Sequence, residues 1–239
     1  MLVPNLAVRT AASGLVTPVS LAFLGESDML VTEKNTGRVQ RIVDGALHST
    51  VLDLAVNFGS ERGLLGMALH PDFPANPGVY LYWTQSSTGA DTNVLANVPL
   101  LGNRVDRFVW DGATLMFDHN VIMLRALQPP FAAKPTPVNG RGNHNGGVIR
   151  FGPDCKLYII IGDNGRRGQT QNLEFGPFGP GMPDDQFGGP QPDNAHLTGV
   201  VLRLNDDGTT PPDNPFFSVG AAMGGEVGAN VNQRAFQLA

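Results

Sequence analysis

Cysteine is nearly absent from this 239-residue chain, where Cys155 stands alone. That excludes an internal disulfide and leaves the redox compartment open. Charge is scarce as well. Charged residues make up 15% of the chain and the formal net charge is -5, so the basic surface needed to bind nucleic acid or an anionic membrane is missing. No apolar run approaches the length of a membrane span. The amino terminus, Met1-Leu-Val-Pro-Asn-Leu-Ala-Val-Arg-Thr10, lacks a basic n-region and an apolar h-region of secretory length. No signal peptide is therefore visible, and the chain reads as cytosolic or as a mature form whose signal has been removed. No segment keeps a helical period over three turns, which excludes a helical bundle. These exclusions leave a neutral small molecule as an admissible partner.

What is present is strand and turn. Hydrophobic residues reach 41%, with Gly 30 and Pro 19, a balance that favours many short strands joined by turns. Strand-like runs cover Val19 to Leu24, Met29 to Glu33, Arg38 to Val43, Val51 to Leu54, Leu64 to Leu69 and Val79 to Trp83. They continue at Arg104 to Trp110, Leu115 to Asp118, Val121 to Leu127, Val148 to Phe151, Leu157 to Ile161 and Val200 to Leu204. Turn signals such as Asn35-Thr36-Gly37, Asp44-Gly45, Asp111-Gly112 and Asp207-Gly208 separate them. A phrase of apolar strand, turn and apolar strand recurs at Leu21…Glu33, Met67…Trp83 and Val148…Ile161. Such repetition predicts radial blades, with function gathered at a central channel. Gln128 to Gly140 and Phe175 to Asn194 are crowded with Pro, Ala, Gly or Asp and read as long surface loops. The whole span 1–239 is read as one domain.

One hairpin brings chemistry together. Gly146 to Phe151 reads as an outgoing strand, Gly152-Pro153-Asp154-Cys155 as its turn, and Lys156 to Ile161 as the return. His144 precedes the hairpin and Asp163 follows it, so an antiparallel ladder places them at one edge. A carboxylate beside an imidazole holds its tautomer and stabilises the imidazolium, which makes the histidine an effective general base. The alternative reading is structural: His144 caps a turn, and Asp163 makes an Asx-turn with Asn164-Gly165. Cys155 occupies a turn position that usually takes glycine, which implies mild backbone strain or another turn type.

Several longer motifs carry a family resemblance. They are Ser60-Glu-Arg-Gly-Leu-Leu-Gly-Met-Ala-Leu-His-Pro-Asp-Phe73, Gly142-Asn-His-Asn-Gly-Gly147, Lys156-Leu-Tyr158, Ile161-Gly-Asp163, Gln171-Asn-Leu173, Leu202-Arg-Leu-Asn-Asp-Asp-Gly208 and Asp213-Asn-Pro-Phe216. From about Leu15 to Phe217 the chain resembles the soluble quinoprotein sugar dehydrogenases, the glucose/sorbosone dehydrogenase family. The resemblance implies an all-β fold, a six-bladed β-propeller present here as a partial propeller of roughly three to four blades. It implies oxidation of the anomeric carbon of an aldose sugar to a lactone, with hydride transfer to pyrroloquinoline quinone (PQQ) held with calcium. An external electron acceptor would close the cycle, in a periplasmic or secreted setting. By position, His144 matches the family's general base and Asp163 the carboxylate that orients it. Glu61 falls where the family places a polar residue beside the quinone, so Glu61 and His144 are the cofactor-binding candidates.

Other motif residues carry plainer expectations. Arg62 could equally be a structural ion-pair partner, and His70 reads as a packed turn residue. Asp206, Asp207 and Asp213 form an acidic loop without regular oxygen-ligand spacing, so the metal ligands remain unassigned. After Gly224-Gly-Glu-Val-Gly-Ala-Asn230 the family's order continues into blades that this chain does not reproduce. The chain therefore reads as truncated on its carboxyl-terminal side and inactive alone. Pairing with a second copy as a homo-oligomer is a second explanation. A propeller-type binding or scaffold protein that has lost the redox cofactor is the alternative function.

Overall fold

Short runs of alternating apolar residues, each closed by a tight turn, pair with their immediate neighbours and so build antiparallel meanders. The structure, a computed structural model, describes residues 7–99, 101–126, 143–162, 164, 197, 199–215 and 217, with the backbone of Ala235–Phe236. Its first sheet runs β1 (Pro18–Phe23), β2 (Asp28–Glu33), β3 (Arg38–Val43) and β4 (Ala46–Asp53) in that order. The second runs β5 (Leu64–Leu69), β6 (Gly78–Thr84), β7 (Asn103–Trp110) and β8 (Leu115–Leu124). The third holds β9 (Ile149–Phe151), β10 (Leu157–Ile161), β11 (Val200–Leu204) and β12 (Ala235–Phe236). Among the described residues the only helix is a 3-10 turn at Leu95–Asn97. The recurrent phrase of the sequence is the first hairpin of each sheet.

The sheets pack face to face through their first strands. β5 lies against β1 and β2, and β9 lies against β5 and β6. The middle sheet is consequently covered on both faces, and β6 is buried along its whole length. Its two-residue period divides the interior. Val79, Leu81 and Trp83 join Leu30, Val39, Leu64 and Phe108 in one core, while Tyr80 and Tyr82 join Ile149, Leu157, Ile159 and Leu202 in the other. This is blade-on-blade packing, the arrangement of a β-propeller. Phe23, Met29, Ile42 and Leu47 share one row across the first sheet, in which Phe23 at the edge is 61% exposed and Ile42 is buried.

Two strands differ from the sequence reading. β4 starts five residues before Val51, because Asp44 and Gly45 close the hairpin and the polar His48-Ser49-Thr50 stretch still pairs with β3 across two register shifts. β8 (Leu115–Leu124) runs unbroken through His119-Asn120, which read as a gap between two strands. Register shifts opposite Asp106 and Arg107 accommodate it, and those residues bind the polar side chains: Asn120 donates to Asp106 at 2.7 Å, and Arg107 donates to Asp118. Cys155 takes the left-handed backbone (φ 58), the strained alternative of the two expected.

Because the strands alternate in direction, the connections alternate between two rims. The tight turns at 24–27, 44–45, 111–114 and 152–156 lie on one, with 70–77 and the start of the segment after β11, whereas 34–37, the longer 54–63 and 85–102, and the described ends of the connections leading into β9 and β11 lie on the other. The stretches Gln128 to Gly140 and Phe175 to Asn194 lie outside the described residues.

At the tight-turn rim the guanidinium of Arg203 binds Asp154 at 2.9 Å, both oxygens of Asp213 at 2.9 Å and Asn214 at 2.7 Å. The hydrogen bonds from Arg203 hold the Asp213 carboxyl below the usual carboxylate range. A depressed folded-state value stabilises the fold above the ordinary carboxylate pKa, and that contribution disappears as pH falls through the depressed value. Arg203→Met should therefore lower the melting temperature at pH 7 more than at pH 3, as followed by circular dichroism at the two pH values.

Candidate active site

The long-loop rim is built around a buried amide. Asn57 accepts hydrogen bonds from Gly59 N–H at 3.2 Å and from Arg62 Nε at 2.9 Å, and donates to the Val94 carbonyl at 2.9 Å. Arg62 is thereby turned inward at 3% exposure, and burial lowers its pKa. Of the two readings given to Arg62, the structure favours a structural one, with Asn57 as a partner. The chain then presents Ser60 and Glu61 outward.

These two residues meet the segment that precedes β9. Ser60 Oγ donates to Asn143 Oδ1 at 2.8 Å, and the His144 backbone N–H donates to the Glu61 carboxylate at 2.5 Å. Ser60 (φ 54) and His144 (φ 56) are both left-handed non-glycine residues, a conformation that costs about 1–2 kcal/mol and persists only where the surroundings enforce it. His144 is exposed and its neighbour Asn145 is 1% exposed. Beneath them, Tyr82 donates from its phenol to the Asn145 carbonyl at 2.7 Å, and Asn103 Nδ2 donates to Asn145 Oδ1 at 2.9 Å. Burial pushes the Tyr82 phenol well above its ordinary pKa, so it remains a donor. Thr84 in turn donates to Asn103 Oδ1 at 2.7 Å. The histidine thus stands on a packed, hydrogen-bonded platform.

The predicted hairpin is present, with Ile149, Arg150 and Phe151 paired to Ile159, Tyr158 and Leu157. Its open end brings Gly162 against His144: a Cβ at Gly162 would lie 2.2 Å from the His144 carbonyl oxygen and 2.7 Å from its Cβ. Asp163 lies outside the described residues. Its neighbour Asn164 is buried and donates to the Arg125 carbonyl at 3.1 Å, and Asn103 Nδ2 reaches the same carbonyl at 2.9 Å.

No group of three or more His, Cys, Asp or Glu side chains suited to a metal ion occurs among the described residues. The acidic loop sits at the opposite rim with its carboxylates engaged. Asp213 is held by Arg203, Asp207 accepts from Thr209 N at 2.8 Å, and Asp206 lies 3.6 Å from His70 Nε2. His70 is a packed turn residue: it stacks edge-on against Phe151 at 5.6 Å and accepts the Asp72 N–H at 3.1 Å. Sequence reasoning missed Asn57, Tyr82, Asn103 and Asn145. Only Asn145 carried a signal, its place within the glycine-flanked His144 motif.

Four-stranded antiparallel sheets packed blade on blade, with long loops and the exposed His144 on one rim, define a partial β-propeller. The chain belongs to the Glucose / Sorbosone dehydrogenase family, whose model matches residues 15–224. It is 28% identical over 218 residues to quinoprotein glucose dehydrogenase B of Acinetobacter calcoaceticus, covering 90% of this chain and 42% of that protein. Among solved structures, the PQQ-bound aldose sugar dehydrogenase of Streptomyces coelicolor superposes with a TM-score of 0.59 at 28% identity, covering 87% of this chain and 50% of that one. The mouse Hedgehog-interacting protein is 29% identical over 172 residues, covering 66% of this chain and 22% of that protein. The chain thus spans about half the length of its dehydrogenase relatives, as a partial six-bladed propeller.

Proposed function

We propose that this chain supplies the proton-abstracting part of a quinone-dependent aldose dehydrogenase, which oxidises the anomeric carbon of a sugar to a lactone. The supporting observation is the exposed His144, fixed in a strained backbone by Glu61 on one side and Gly162 on the other. Oxidation at C1 breaks two bonds to hydrogen. The hydroxyl proton goes to the His144 imidazole while the C–H electron pair departs as hydride, and the C1–O bond becomes a carbonyl. PQQ, when bound, accepts that hydride and passes the electrons to an external acceptor. Asp163, next to Gly162, is the proposed orienting carboxylate for His144.

The described residues fit the reacting end of such a cofactor, with the exposed His144 held through its main-chain N–H by the Glu61 carboxylate. Of the described cations near His144, Lys34 hydrogen-bonds three protein oxygens and Arg62 turns toward Asn57. Desolvated carboxylates need paired cations; following the order of motifs in the family, we assign the cationic clamp and calcium to further blades and propose that the 239-residue chain alone is inactive. A second reading, a propeller that binds a partner without redox chemistry, draws on the similarity to the Hedgehog-interacting protein.

An absorption spectrum separates the two. The chain, joined to the three remaining blades of a relative, is mixed with PQQ and calcium, and glucose is then added. Dehydrogenase chemistry predicts conversion of the bound quinone spectrum to that of the quinol. A quinone spectrum unchanged by any aldose would support the binding reading.

A further inference from the structure

The His144 loop is braced from a sheet that contributes no residue to the chemistry proposed above. Lys34 follows β2 in the first sheet, and its ammonium donates to Asn35 Oδ1 at 3.1 Å, the Phe58 carbonyl at 3.2 Å and the Ser60 carbonyl at 2.9 Å. An ammonium has three protons, so every donor is assigned. Two of the acceptors are main-chain oxygens flanking Gly59, immediately before Glu61. The backbone closes the same contact: Leu64 N–H donates to the Lys34 carbonyl at 3.0 Å, and a Cβ at Gly63 would lie 2.2 Å from that oxygen. Segment 58–64 is therefore gripped by one residue at both of its ends.

We propose that Lys34 is a positioning residue for His144, acting through Glu61. The grip sets the height and direction of Ser60 and Glu61, and these are the two side chains that engage Asn143 and the His144 N–H. Left-handed Ser60 and left-handed His144 face each other across that junction, so loosening either side lets the other relax. The charge of Lys34 acts in the same direction: burial and the nearby Arg62 lower its pKa, while the Glu61 carboxylate opposes the shift, which places an attractive pair at the base of the loop. Three hydrogen bonds to an ion in a half-buried site are strong enough to hold a strained turn. The role as a positioning residue for a base rests on the proposed dehydrogenase reading; the coupling of Lys34 to His144 does not.

The test is backbone amide hydrogen exchange at His144, followed by NMR in the 239-residue chain, for wild type, Lys34→Met, Glu61→Gln and the double variant. Lys34→Met is expected to accelerate His144 exchange about tenfold, the loss of one charge-assisted hydrogen bond. Glu61→Gln should do the same, and the double variant should exchange no faster than Glu61→Gln alone, since both act on one contact. Amides of β9 and β10 should keep their wild-type rates, which a general loosening of the fold would not allow. Where Lys34→Met disturbs those strands, Lys34→Gln, which retains a donor, takes its place. An unchanged His144 rate, or two effects that simply multiply in the double variant, would overturn the proposal. Neither result depends on sugar oxidation, so a failed dehydrogenase assay leaves this outcome readable.

Discussion

His144→Gln, in the chain completed with the missing blades and loaded with PQQ and calcium, is expected to lower sugar turnover by about 10²–10⁴-fold. Glutamine keeps much of the side-chain volume and can hydrogen-bond the sugar hydroxyl, yet it cannot take the proton. Carbonyl character at C1 then has to develop on a protonated oxygen. The backbone geometry should survive, because the contact that fixes this position runs from the His144 main-chain N–H to Glu61. Quinone binding should accordingly change much less than turnover. Steady-state dye reduction with a parallel measurement of bound quinone checks both halves, and undiminished turnover in the loaded variant would remove His144 from its role.

Gly66→Ala carries the largest expected effect on stability. Gly66 sits in β5 where the second blade meets the third, and a Cβ there would lie 1.9 Å from the Gly147 carbonyl oxygen and 3.1 Å from its carbon. Both atoms are backbone, so no rotamer change relieves the clash. Overpacking of this kind costs about 1–3 kcal/mol and occasionally more, and the upper end applies because the obstruction also pushes the segment carrying His144. For a chain of this size that corresponds to a fall in Tm of about 6–12 °C. Thermal unfolding by circular dichroism measures it, and a wild-type Tm would mean that β5 and the segment before β9 do not approach as described.

Most of the architecture was legible because a propeller blade is a local object. Each sheet is a meander of consecutive strands, so alternation and turn residues suffice to place β1 to β3, β5 to β7 and β9 to β11 within a residue or so. The outermost strands were harder. β4 and β8 carry polar stretches, His48-Ser49-Thr50 and His119-Asn120, between the residues they give to the cores, so the apolar signal fades where pairing continues.

The site was legible only in part. The hairpin logic placed His144 at the open end of β9 and β10, and Gly162 is found against it. What the sequence could not display is how His144 is held. Glu61 engages it through the main chain, a contact no side-chain pattern encodes, and 83 residues separate the two. Tyr82 reads as one more apolar position in a buried strand, although its hydroxyl serves the Asn145 carbonyl. Asn57 and Asn103 read as loop and strand-end residues, yet both are fully buried hubs. Long-range polar contacts of this kind come from the packing of blades, which local patterns do not contain.

The central claim is that this chain holds the base of a quinone-dependent sugar dehydrogenase while the cofactor clamp lies in other blades. Dye reduction with glucose, PQQ and calcium, run side by side on the 239-residue chain and on the chain extended through the remaining blades, tests it most directly. The account predicts turnover in the extended protein and little or none in the 239-residue chain, because a base without a clamped cofactor lacks the preorganised geometry that supplies much of the rate. Equal turnover by the two would contradict it.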